Sequence, residues 1–413
     1  MKEMIFTPAT IEVAQKISAM GGRMYLVGGA VRDLFMNRES HDHDFVVTGI
    51  EVSAFEEAFN HPQMTGNQFP VFRLMIGEEE CEIAFARKEE KIGEGHNGFK
   101  MIFTPSITIE EDLIRRDTTM NAIAMDVLSG EIIDPFHGVD DIEKKIVRAT
   151  SEHFSEDPLR VLRVARQATI FGFEVDKNTL KLMEDCSEEL AKVPYSRVWG
   201  EMQKALNANI PDKFFRILVA SNTLKCCFPE IDALRGQTQP EKYHPEGDAF
   251  EHSMLVLNKV AERTPSLEAR FCALFHDIGK GLTPKEELPH HYRHGDKGAK
   301  LIESWENGRF PAKLKTAAKT ISTIHMTAID LPIMTPKTIF SLLEKIKKGC
   351  NLETVREVVL ADTSLSFDVL SDEFSAKVFA KVEIPEKVLQ RDGQFIGDFV
   401  RQVRINRVRQ MLH

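Results

Sequence analysis

Short runs of apolar residues, interrupted by one helical pattern, occupy the first part of the chain. MYLVG at 24–28 and FVVTG at 45–49 are typical of buried strands, and FRLMI and CEIAFA are further strand candidates. Between the first two runs, AVRDLFMN has the apolar spacing of a helix. This pattern predicts a head of mixed α and β structure.

The hydrophobic pattern changes at about residue 140, where the strand-like runs stop. Apolar residues then recur at intervals of three and four through VLRVARQATIFGF, TLKLMEDC and KFFRILVASNTL, which predicts helices. A segment rich in glycine, proline and polar residues, RGQTQPEKYHPEGD at 235–248, is the best candidate for a domain boundary. We therefore expect an α+β head over 1–145, an all-α neck over 146–240, an all-α body over 245–365 and a helical tail over 366–413.

Length and charge narrow the function classes. A chain of 413 residues exceeds one hydrophobic core, so several domains are expected. The net charge of −10 argues against a protein that coats nucleic acid without specificity, because phosphate binding depends on Lys and Arg. RNA contacts would therefore have to be local. The candidates are the arginines of segment 115–166 and four arginines of the tail, Arg401, Arg404, Arg407 and Arg409. For the tail arginines, a solvated helix face is at least as good an interpretation.

The remaining composition predicts the location. The first residues, MKEMIFTPATIEVAQK, carry scattered charges instead of the apolar core of a signal peptide, and no run of about 18 apolar residues occurs. The six cysteines are irregularly spaced without a C-x-x-C pair, so we expect them to be reduced, small apolar residues. These features predict a cytoplasmic protein without membrane association.

A glycine turn and a carboxylate pair are the first candidates for chemistry. In MYLVGGAVRD a strand ends at Gly28 and Gly29 and a helix begins, so backbone N–H groups could receive a phosphate, although many such turns are plain connections. Asp42 and Asp44 lie two residues apart at the start of the next strand, so both carboxylates project from one face. Two such oxygen ligands can hold Mg²⁺, whereas many D-x-D pairs only end a turn. Together the two features favour a nucleoside triphosphate site.

Three motifs occur in the order YLVGGAVRDLFMNRESHDHDFVV, RRDTTMNAIA and EDPLRVLRVAR. They resemble the bacterial tRNA nucleotidyltransferase family, class II of the polymerase-beta-like superfamily. The similarity continues through DPFHGVDDI, FPEIDAL and HPEGDAFEHSM to FHDIGKGLTP and is that of the long branch, which carries a second domain of HD type. The resemblance implies that Asp42 and Asp44 are metal ligands. It also implies that five residues contact the nucleotide: Gly29, Arg32, Arg116, Arg163 and Arg166.

The resemblance further implies a base-selecting motif at Glu156, Asp157 and Arg160. Cytosine and adenine each present an amino donor beside a ring-nitrogen acceptor, whereas guanine and uracil present a carbonyl beside an N–H. A carboxylate accepts and a guanidinium donates, so Asp157 and Arg160 could pair with C and A and leave G and U with unpaired groups, at about 1–3 kcal/mol each. Asp157 before Pro158 is also a good helix cap, and both roles can hold.

Two neighbouring features refine this picture. The glycine-rich stretch KEEKIGEGHNGFKMIFTPS predicts a flexible loop. In the resembling enzymes, a loop at this place helps the site to change its selection from C to A. The alternative is a plain surface loop. Arg160, Arg163 and Arg166 recur every third residue and predict a basic stripe on an amphipathic helix, whose last two members would contact the triphosphate. At Gln167 and Ala168 the sequence departs from the family pattern, in which an aromatic and a small residue are expected.

A second group of residues suggests different chemistry. FCALFHDIGK places His276 and Asp277 at the end of an apolar helix, with His252 upstream and Asp362 downstream. Such a set could bind a transition metal such as Ni²⁺, Mn²⁺ or Zn²⁺, which would activate water for phosphoester hydrolysis. The motif is similar to that of the HD phosphohydrolase superfamily, and the resemblance implies 2′,3′-cyclic phosphodiesterase, 2′-nucleotidase and phosphatase activities. Three more histidines could supply a second site, although an exposed cluster is the favoured interpretation: His290, His291 and His294.

The sequence thus predicts an enzyme that adds C, C and A to the 3′ end of tRNA from CTP and ATP, with Mg²⁺ as cofactor and pyrophosphate as product. The same chain would carry a phosphohydrolase domain that uses Ni²⁺ or Mn²⁺. We expect no obligate protein partner, the chain being a monomer or a weak homodimer. A poly(A) polymerase is the nearest rival, since the same head motifs serve it. An HD phosphohydrolase with a non-catalytic RNA-binding head, or a non-enzymatic tRNA-binding protein, is disfavoured by the intact Asp42 and Asp44 pair.

Overall fold

A computed structural model gives the fold over residues 6–40, 43–65, 71–91 and 99–412. The chain separates into two compact units. The first unit comprises Met1–Val193 with Ile217–Thr223, and the second comprises Pro194–Arg216 with Leu224–His413. The predicted boundary segment 235–248 lies inside the second unit as a turn-rich connection. The four predicted domain ranges stay a prediction.

The described strands all lie in the first unit. They are β1 (Arg23–Val27), β2 (Asp44–Thr48), β3 (Gln63–Thr65), β4 (Val71–Ile76), β5 (Glu79–Phe85), β6 (Lys88–Lys91), β7 (Phe99–Ile102), β8 (Ala124–Asp126), β9 (Ile132–Ile133), β10 (Ile146–Val147) and β11 (Glu174–Val175). Seven of them form one sheet in the order β3-β4-β5-β2-β1-β8-β9, in which β2 and β5 pair in parallel and the other neighbours are antiparallel. The four strands expected from the sequence are β1, β2, β4 and β5, and the predicted mixed head is confirmed.

The strand directions bring several chain segments to one end of this sheet. β1 runs antiparallel to both β2 and β8, with Leu26 opposite Phe45 and Val27 opposite Ala124. The glycine turn that follows β1 therefore lies beside the start of β2 and the segment that precedes β8. Beneath them, Tyr25, Val27 and Val46 belong to a buried apolar cluster that fixes the strands.

The helices of the first unit cover the sheet and then continue beyond it. They are α1 (Pro8–Ala19), α2 (Gly29–Phe35), α3 (Val52–Ala58), α4 (Ile109–Leu113), α5 (Gly138–Lys144), α6 (Leu159–Phe171), α7 (Lys177–Asp185) and α8 (Ser187–Leu190). Local sequence sets their ends. Thr108 and Glu111 form a reciprocal capping box at α4, and α6 stops at Gly172, whose φ of 71° is in the left-handed region.

Two parts of the first unit differ from the sequence expectation. The flanks of the predicted flexible loop form an antiparallel ribbon, β6 with β7, and residues 92–98 between them lie outside the described residues. Strand structure also does not stop at residue 140, because β10 and β11 form a short parallel pair. Two-residue strands carry no hydrophobic periodicity, so the sequence pattern could not show them.

The second unit is helical throughout its described residues. Its helices are α9 (Tyr195–Leu206), α10 (Asp212–Ala220, whose last residues belong to the first unit), α11 (Leu224–Cys227), α12 (Pro229–Asp232), α13 (Ala249–Arg263), α14 (Leu267–Phe275), α15 (His294–Ser304), α16 (Ala312–Ile329), α17 (Pro336–Gly349), α18 (Leu352–Thr363), α19 (Asp372–Phe379), α20 (Glu386–Leu389) and α21 (Gly393–Met411). The core contains tilted and edge-to-face rings of Phe271, Phe275, Trp305 and Phe310. Over the residues described, no helix combines the length and apolar character needed to cross a membrane.

Candidate functional site

The glycine turn after β1 is shaped by an arginine. Gly28 has a φ of 69°, and a Cβ there would lie 2.9 Å from Nη1 of Arg116. The positive φ favours glycine, and a larger residue would also displace the Arg116 guanidinium. The N–H of Gly28 donates to the carbonyl of Ile123, which precedes β8, at 3.2 Å. The turn is therefore held against the segment that carries the RRD motif.

Carboxylates gather at the same end of the sheet. Asp44 is exposed at the start of β2 and stands opposite Glu82 in the parallel pair with β5, so both side chains project from one face. Asp42 lies outside the described residues. Sequence analysis missed Glu82, although its position in the strand CEIAFA made its face predictable. Two acidic side chains on one face fit an oxygen-preferring divalent cation.

Arg32 on α2 has several partners in the first unit. Its Nε and Nη2 donate to Oδ1 of Asp33 at 3.0 and 2.8 Å, and its Nη1 donates to Oδ1 of Asn121 at 2.7 Å. The guanidinium also lies 4.5 Å from the ring centre of Phe171. Burial lowers the pKa of Arg32, which Asp33 only partly offsets. Arg32 therefore forms an ion pair with Asp33 within a larger network.

Two buried carboxylates hold the arginines of the RRD motif and of α6. Asp112 is fully buried and accepts from Arg115 at 2.5 and 3.0 Å and from Arg116 at 3.2 Å. Asp117 accepts from Nε of Arg163 at 2.8 Å and from Nδ2 of Asn121 at 2.9 Å. Burial alone would raise the pKa of Asp117, but the charge of Arg163 and the hydrogen bonds from Asn121 and Arg163 together outweigh burial and hold that pKa well below its usual range.

Asp117 thus connects the predicted nucleotide arginines. Through Asn121 it is linked to Arg32, and directly it is linked to Arg163. Arg166 lies close enough to Arg32 for its charge to lower the pKa of Arg32 further. The structure therefore brings Gly29, Arg32, Arg163 and Arg166 to the Asp117 network, while Arg116, which approaches Gly28, is held by Asp112. Sequence analysis did not identify Asp112, Asp117 or Asn121 as its organisers.

Within the predicted basic stripe, Arg160 is buried, whereas Arg163 and Arg166 are partly exposed. Its Nη1 donates to the carbonyl of His153, and its Nη2 donates to the carbonyl of Arg115 at 2.6 Å. Burial of Val161, Leu162, Val164 and Ala165 on α6 follows the prediction. Asp157 accepts from the N–H of Leu159 at 3.1 Å, so its helix-capping role is observed. The partners of Arg160 fix the plane of its guanidinium.

The second unit contains a buried cluster of histidines around Asp277. On one side, Nε2 of His252 lies 3.6 Å from Oδ2 of Asp277 and 3.1 Å from Oδ1 of Asp362, and Nε2 of His276 lies 3.3 Å from Oδ2 of Asp277. On the other side, Nε2 atoms of His294 and His325 lie 3.1 and 3.2 Å from Oδ1 of Asp277. Asp277 therefore stands between two groups of ligand atoms.

The hydrogen bonds of these histidines indicate what the cluster can hold. Backbone carbonyls lie 2.7 Å from Nδ1 of His276, 2.8 Å from Nδ1 of His294 and 3.0 Å from Nδ1 of His325. A carbonyl only accepts, so each Nδ1 carries a proton and each Nε2 of the neutral ring presents a lone pair. The Nε2 atoms of His294 and His325 are only 3.1 Å apart.

Acceptor atoms therefore converge in a buried space. Oδ1 of Asp277 receives no hydrogen bond there. Such a set of ligand atoms fits a metal ion beside Oδ1, and imidazoles with carboxylates suit a transition metal. Burial lowers the pKa of His276 but the charge of Asp277 raises it on balance, so a proton and a metal ion compete for this nitrogen.

Side chains behind the cluster orient the ligand atoms. Oε1 of Glu246 lies 2.7 Å from Nδ1 of His252, which directs the other ring nitrogen towards Asp277 and Asp362. Nζ of Lys280 lies 2.5 Å from Oδ2 of Asp277 and 2.5 Å from Oε1 of Gln239. The four predicted ligands are thus brought together.

Comparison with protein families assigns domains to both units. The family "Poly A polymerase head domain" matches residues 24–148, "Probable RNA and SrmB- binding site of polymerase A" matches 172–235, and "HD domain" matches 249–360. The chain carries a poly(A) polymerase head domain and an HD domain. The histidine cluster lies mostly inside the HD match, with Asp362 two residues beyond it.

Solved structures match this chain over nearly its full length. The Thermotoga maritima CCA-adding enzyme complexed with tRNA-CCA is 20% identical with a TM-score of 0.66, and the match covers 98% of this chain and 92% of that one. A CCA-adding enzyme with CTP is 21% identical with a TM-score of 0.67, covering 98% and 92%. A complex with ATP is 20% identical with a TM-score of 0.64, covering 98% and 90%. The chain therefore has the fold of CCA-adding enzymes.

The HD domain corrects one expectation from the sequence. Exposure was the favoured interpretation of three histidines, but His294 is buried beside Asp277, while His290 is exposed and stacks on Tyr292. His325, on α16, was not identified at all. A single histidine on an apolar helix face looks like a core residue, so no sequence signal distinguished it.

The tail arginines are engaged with the second unit itself. Arg407 donates to the carbonyls of Ala380 and Lys381 at 2.6 and 3.1 Å, just beyond the end of α19. Arg401 lies 3.6 Å from Glu344, and the guanidinium of Arg404 lies 5.4 Å from the ring centre of Phe379. These contacts give the tail helix a packing role.

Gly279 of the HDIGK motif is required by close packing in the HD domain. A Cβ there would lie 2.0 Å from the carbonyl oxygen of His294 and 2.5 Å from the nitrogen of Gly298. We expect Gly279→Ala to push α15 away, to lower the stability of the fold by about 1–3 kcal/mol, and to weaken metal binding through His294. Thermal unfolding and bound-metal analysis would measure both effects. Gly397→Ala is the control, since no heavy atom lies within 4 Å of its added Cβ; equal behaviour of the two variants would refute the packing argument.

Proposed function

We propose that the first unit transfers nucleotides from CTP and ATP to the 3′ end of tRNA, completing CCA and releasing pyrophosphate. The observation that carries this proposal is the arrangement of Asp44 and Glu82 beside the glycine turn, next to arginines held by Asp112 and Asp117. Its support includes the poly(A) polymerase head domain and a fold shared with enzymes solved with tRNA, CTP and ATP.

The aspartates and the arginines have different proposed roles: metal binding and phosphate binding. Asp42 and Asp44 would hold Mg²⁺, which would lower the pKa of the attacking 3′ hydroxyl and offset charge on the leaving pyrophosphate. Arg163 and Arg32 would receive the triphosphate, as their guanidinium groups are already oriented by Asp117 and Asn121. Preorganised donors cost little reorganisation when charge develops in the reaction.

Extension of tRNA tests this function directly. Transcripts ending before CCA, after C and after CC would each be incubated with Mg²⁺ and one labelled triphosphate. Addition of C, C and A in order, with UTP and GTP rejected, is the expected result. A long A tail would instead identify a poly(A) polymerase, and no incorporation with any triphosphate would overturn the proposal for this unit.

Base selection is proposed to rest on Asp157 and Arg160. The guanidinium has five N–H groups, and the carbonyls of His153 and Arg115 fix two of them, which gives the rigid donor that a protein template needs. We expect Arg160→Ala to lower the preference for CTP over UTP by about 10-fold or more. Single-nucleotide addition rates with each triphosphate would measure this.

The control for base selection is a neighbouring arginine with a different proposed role. Arg163→Ala should weaken the binding of CTP, ATP and UTP to the same extent, because Arg163 would contact only the phosphates of the nucleotide. Arg160→Lys keeps the positive charge but removes the planar guanidinium with its several N–H donors. This variant therefore distinguishes an effect of donor geometry from an effect on folding. Unchanged preference for CTP over UTP in both Arg160 variants, with normal unfolding curves, would rule out the template role.

We propose a metal-dependent phosphohydrolase activity for the HD domain. The supporting observation is the convergence of Nε2 lone pairs on both oxygens of Asp277. Two groups of ligands share this residue: His252, His276, Asp277 and Asp362, and then Asp277, His294 and His325. Ni²⁺ or Mn²⁺ bound there would supply an activated water. The chain's own part is to exclude bulk water and to hold each imidazole by its Nδ1.

Hydrolysis of 2′,3′-cyclic nucleotides, 2′-nucleotides and a general phosphatase substrate would test this activity. Each would be assayed with Ni²⁺, Mn²⁺, Mg²⁺ and chelator alone. We expect hydrolysis with a transition metal and none with chelator. Failure with every metal, while tRNA extension works, would leave the domain without a catalytic role.

A further inference from the structure

Gln167 lies in the centre of the arginine network, at a position where the sequence departs from the expected aromatic residue. It is 1% exposed on α6. Its Nε2 donates to Oδ2 of Asp117 at 2.7 Å, and its Oε1 accepts from Oγ1 of Thr118 at 3.0 Å. A carboxylate only accepts, so the amide orientation follows from chemistry.

Oδ2 of Asp117 is shared between two donors of the same helix. Nε of Arg163 lies 2.8 Å from this oxygen and Nε2 of Gln167 lies 2.7 Å from it. The other oxygen accepts from the N–H of Thr118 at 2.9 Å and from Nδ2 of Asn121 at 2.9 Å. With the longer bond from Oγ1 of Thr118 to that same oxygen at 3.4 Å, five hydrogen bonds fix this buried carboxylate, and Gln167 supplies the one that lies beside Arg163.

We propose that Gln167 is a positioning residue that aims the guanidinium of Arg163 at the incoming triphosphate by fixing Asp117. The proposal rests on the nucleotidyl transfer proposed above. Arg163 keeps 39% of its side-chain surface exposed, whereas Asp117 is buried, so the carboxylate is the fixed member of the pair and the arginine is the member that ligand can reach. Without the amide, Asp117 would accept fewer bonds and could rotate, and the direction of Arg163 would rotate with it.

The alternative is that Gln167 serves folding alone, and a double-mutant cycle separates the two roles. CTP affinity would be measured by equilibrium dialysis for wild type, Gln167→Leu, Arg163→Ala and the double variant. We expect Gln167→Leu to weaken CTP binding about 10-fold in the wild-type background and less than about 2-fold in the Arg163→Ala background. The KM for CTP and for ATP should rise together, with kcat and the choice of base nearly unchanged.

Thr169 provides a matched control on the same helix. It is 4% exposed, and its hydroxyl donates to the carbonyl of Ala165 at 2.7 Å without contacting Asp117. Thr169→Val should leave CTP affinity unchanged. If Gln167→Leu unfolds at the assay temperature, Gln167→Met, which keeps the length and lacks the donor, replaces it in the cycle.

The outcomes are distinct. The positioning role would be overturned if Gln167→Leu weakened CTP binding equally with and without Arg163. It would also be overturned if neither Gln167 variant weakened CTP binding. Absence of tRNA extension by the wild-type protein would instead overturn the proposed function on which it rests.

Discussion

Replacing Asp44 by asparagine is expected to reduce addition of C and A to tRNA by at least about 1,000-fold, because a neutral amide cannot replace a carboxylate as ligand of a hard divalent cation. Asp44 is exposed at the start of β2, so the change should leave folding intact. Initial rates of labelled CTP incorporation would measure the loss. Asp42→Asn should have the same effect, and the two losses should not add, since both would remove one metal site.

Two other carboxylates of the first unit are used for comparison. Asp140→Asn alters an exposed acid of the same unit, 3.9 Å from Lys144, and should leave the rate unchanged. Glu82→Gln tests whether the residue opposite Asp44 contributes to cation binding. HD hydrolysis measured on the same preparation reports whether the chain is folded. Full activity of Asp44→Asn would exclude it as a metal ligand.

Replacing Asp277 by asparagine is expected to remove both bound metal ions from the HD domain and to reduce hydrolysis by at least about 1,000-fold. Both of its oxygens face imidazole nitrogens, at 3.1 to 3.6 Å, so one substitution affects both ligand groups. Metal content after equilibration with Mn²⁺ and dialysis would be compared with the hydrolysis rate. We expect two ions in the wild type and none in this variant.

Single histidine variants distinguish the two ligand groups. His325→Ala should lower the metal content by one ion, whereas His290→Ala, an exposed histidine stacked on Tyr292, should change nothing. tRNA extension should persist in all three variants. One ion in the wild type that survives His325→Ala would show that His294 and His325 are not ligands.

In the head, the sequence predicted the glycine turn and the arginines but not the acidic residues that hold the arginines in place. Strand periodicity placed β1 and β2, and their spacing put the glycine turn beside Asp44. Asp112 and Asp117 carry no such signal, because an acid beside two arginines in RRD is also what an exposed ion pair looks like. Their role appeared only with their burial, which depends on how α4 and α6 pack in three dimensions.

In the HD domain, the sequence succeeded where ligands share a local motif. His276 and Asp277 are adjacent, and His252 is 24 residues before His276. His294 and His325 are 31 residues apart on different helices. Their pairing depends on the close approach of α15 to α16, where a Cβ on Gly298 would lie 2.4 Å from Oγ of Ser322. No periodicity reports a contact of that kind.

The division of the chain constrains how the protein is made. Ile217–Thr223 belongs to the first unit although residues on both sides of it belong to the second. Within it Asn222 donates to Glu184 at 2.8 Å, and Leu218 and Thr223 are fully buried. During synthesis the first unit cannot be completed until the ribosome has released residue 223, when 23 residues of the second unit, Pro194–Arg216, have already emerged. A single cut in the gene would therefore leave at least one of the two units incomplete.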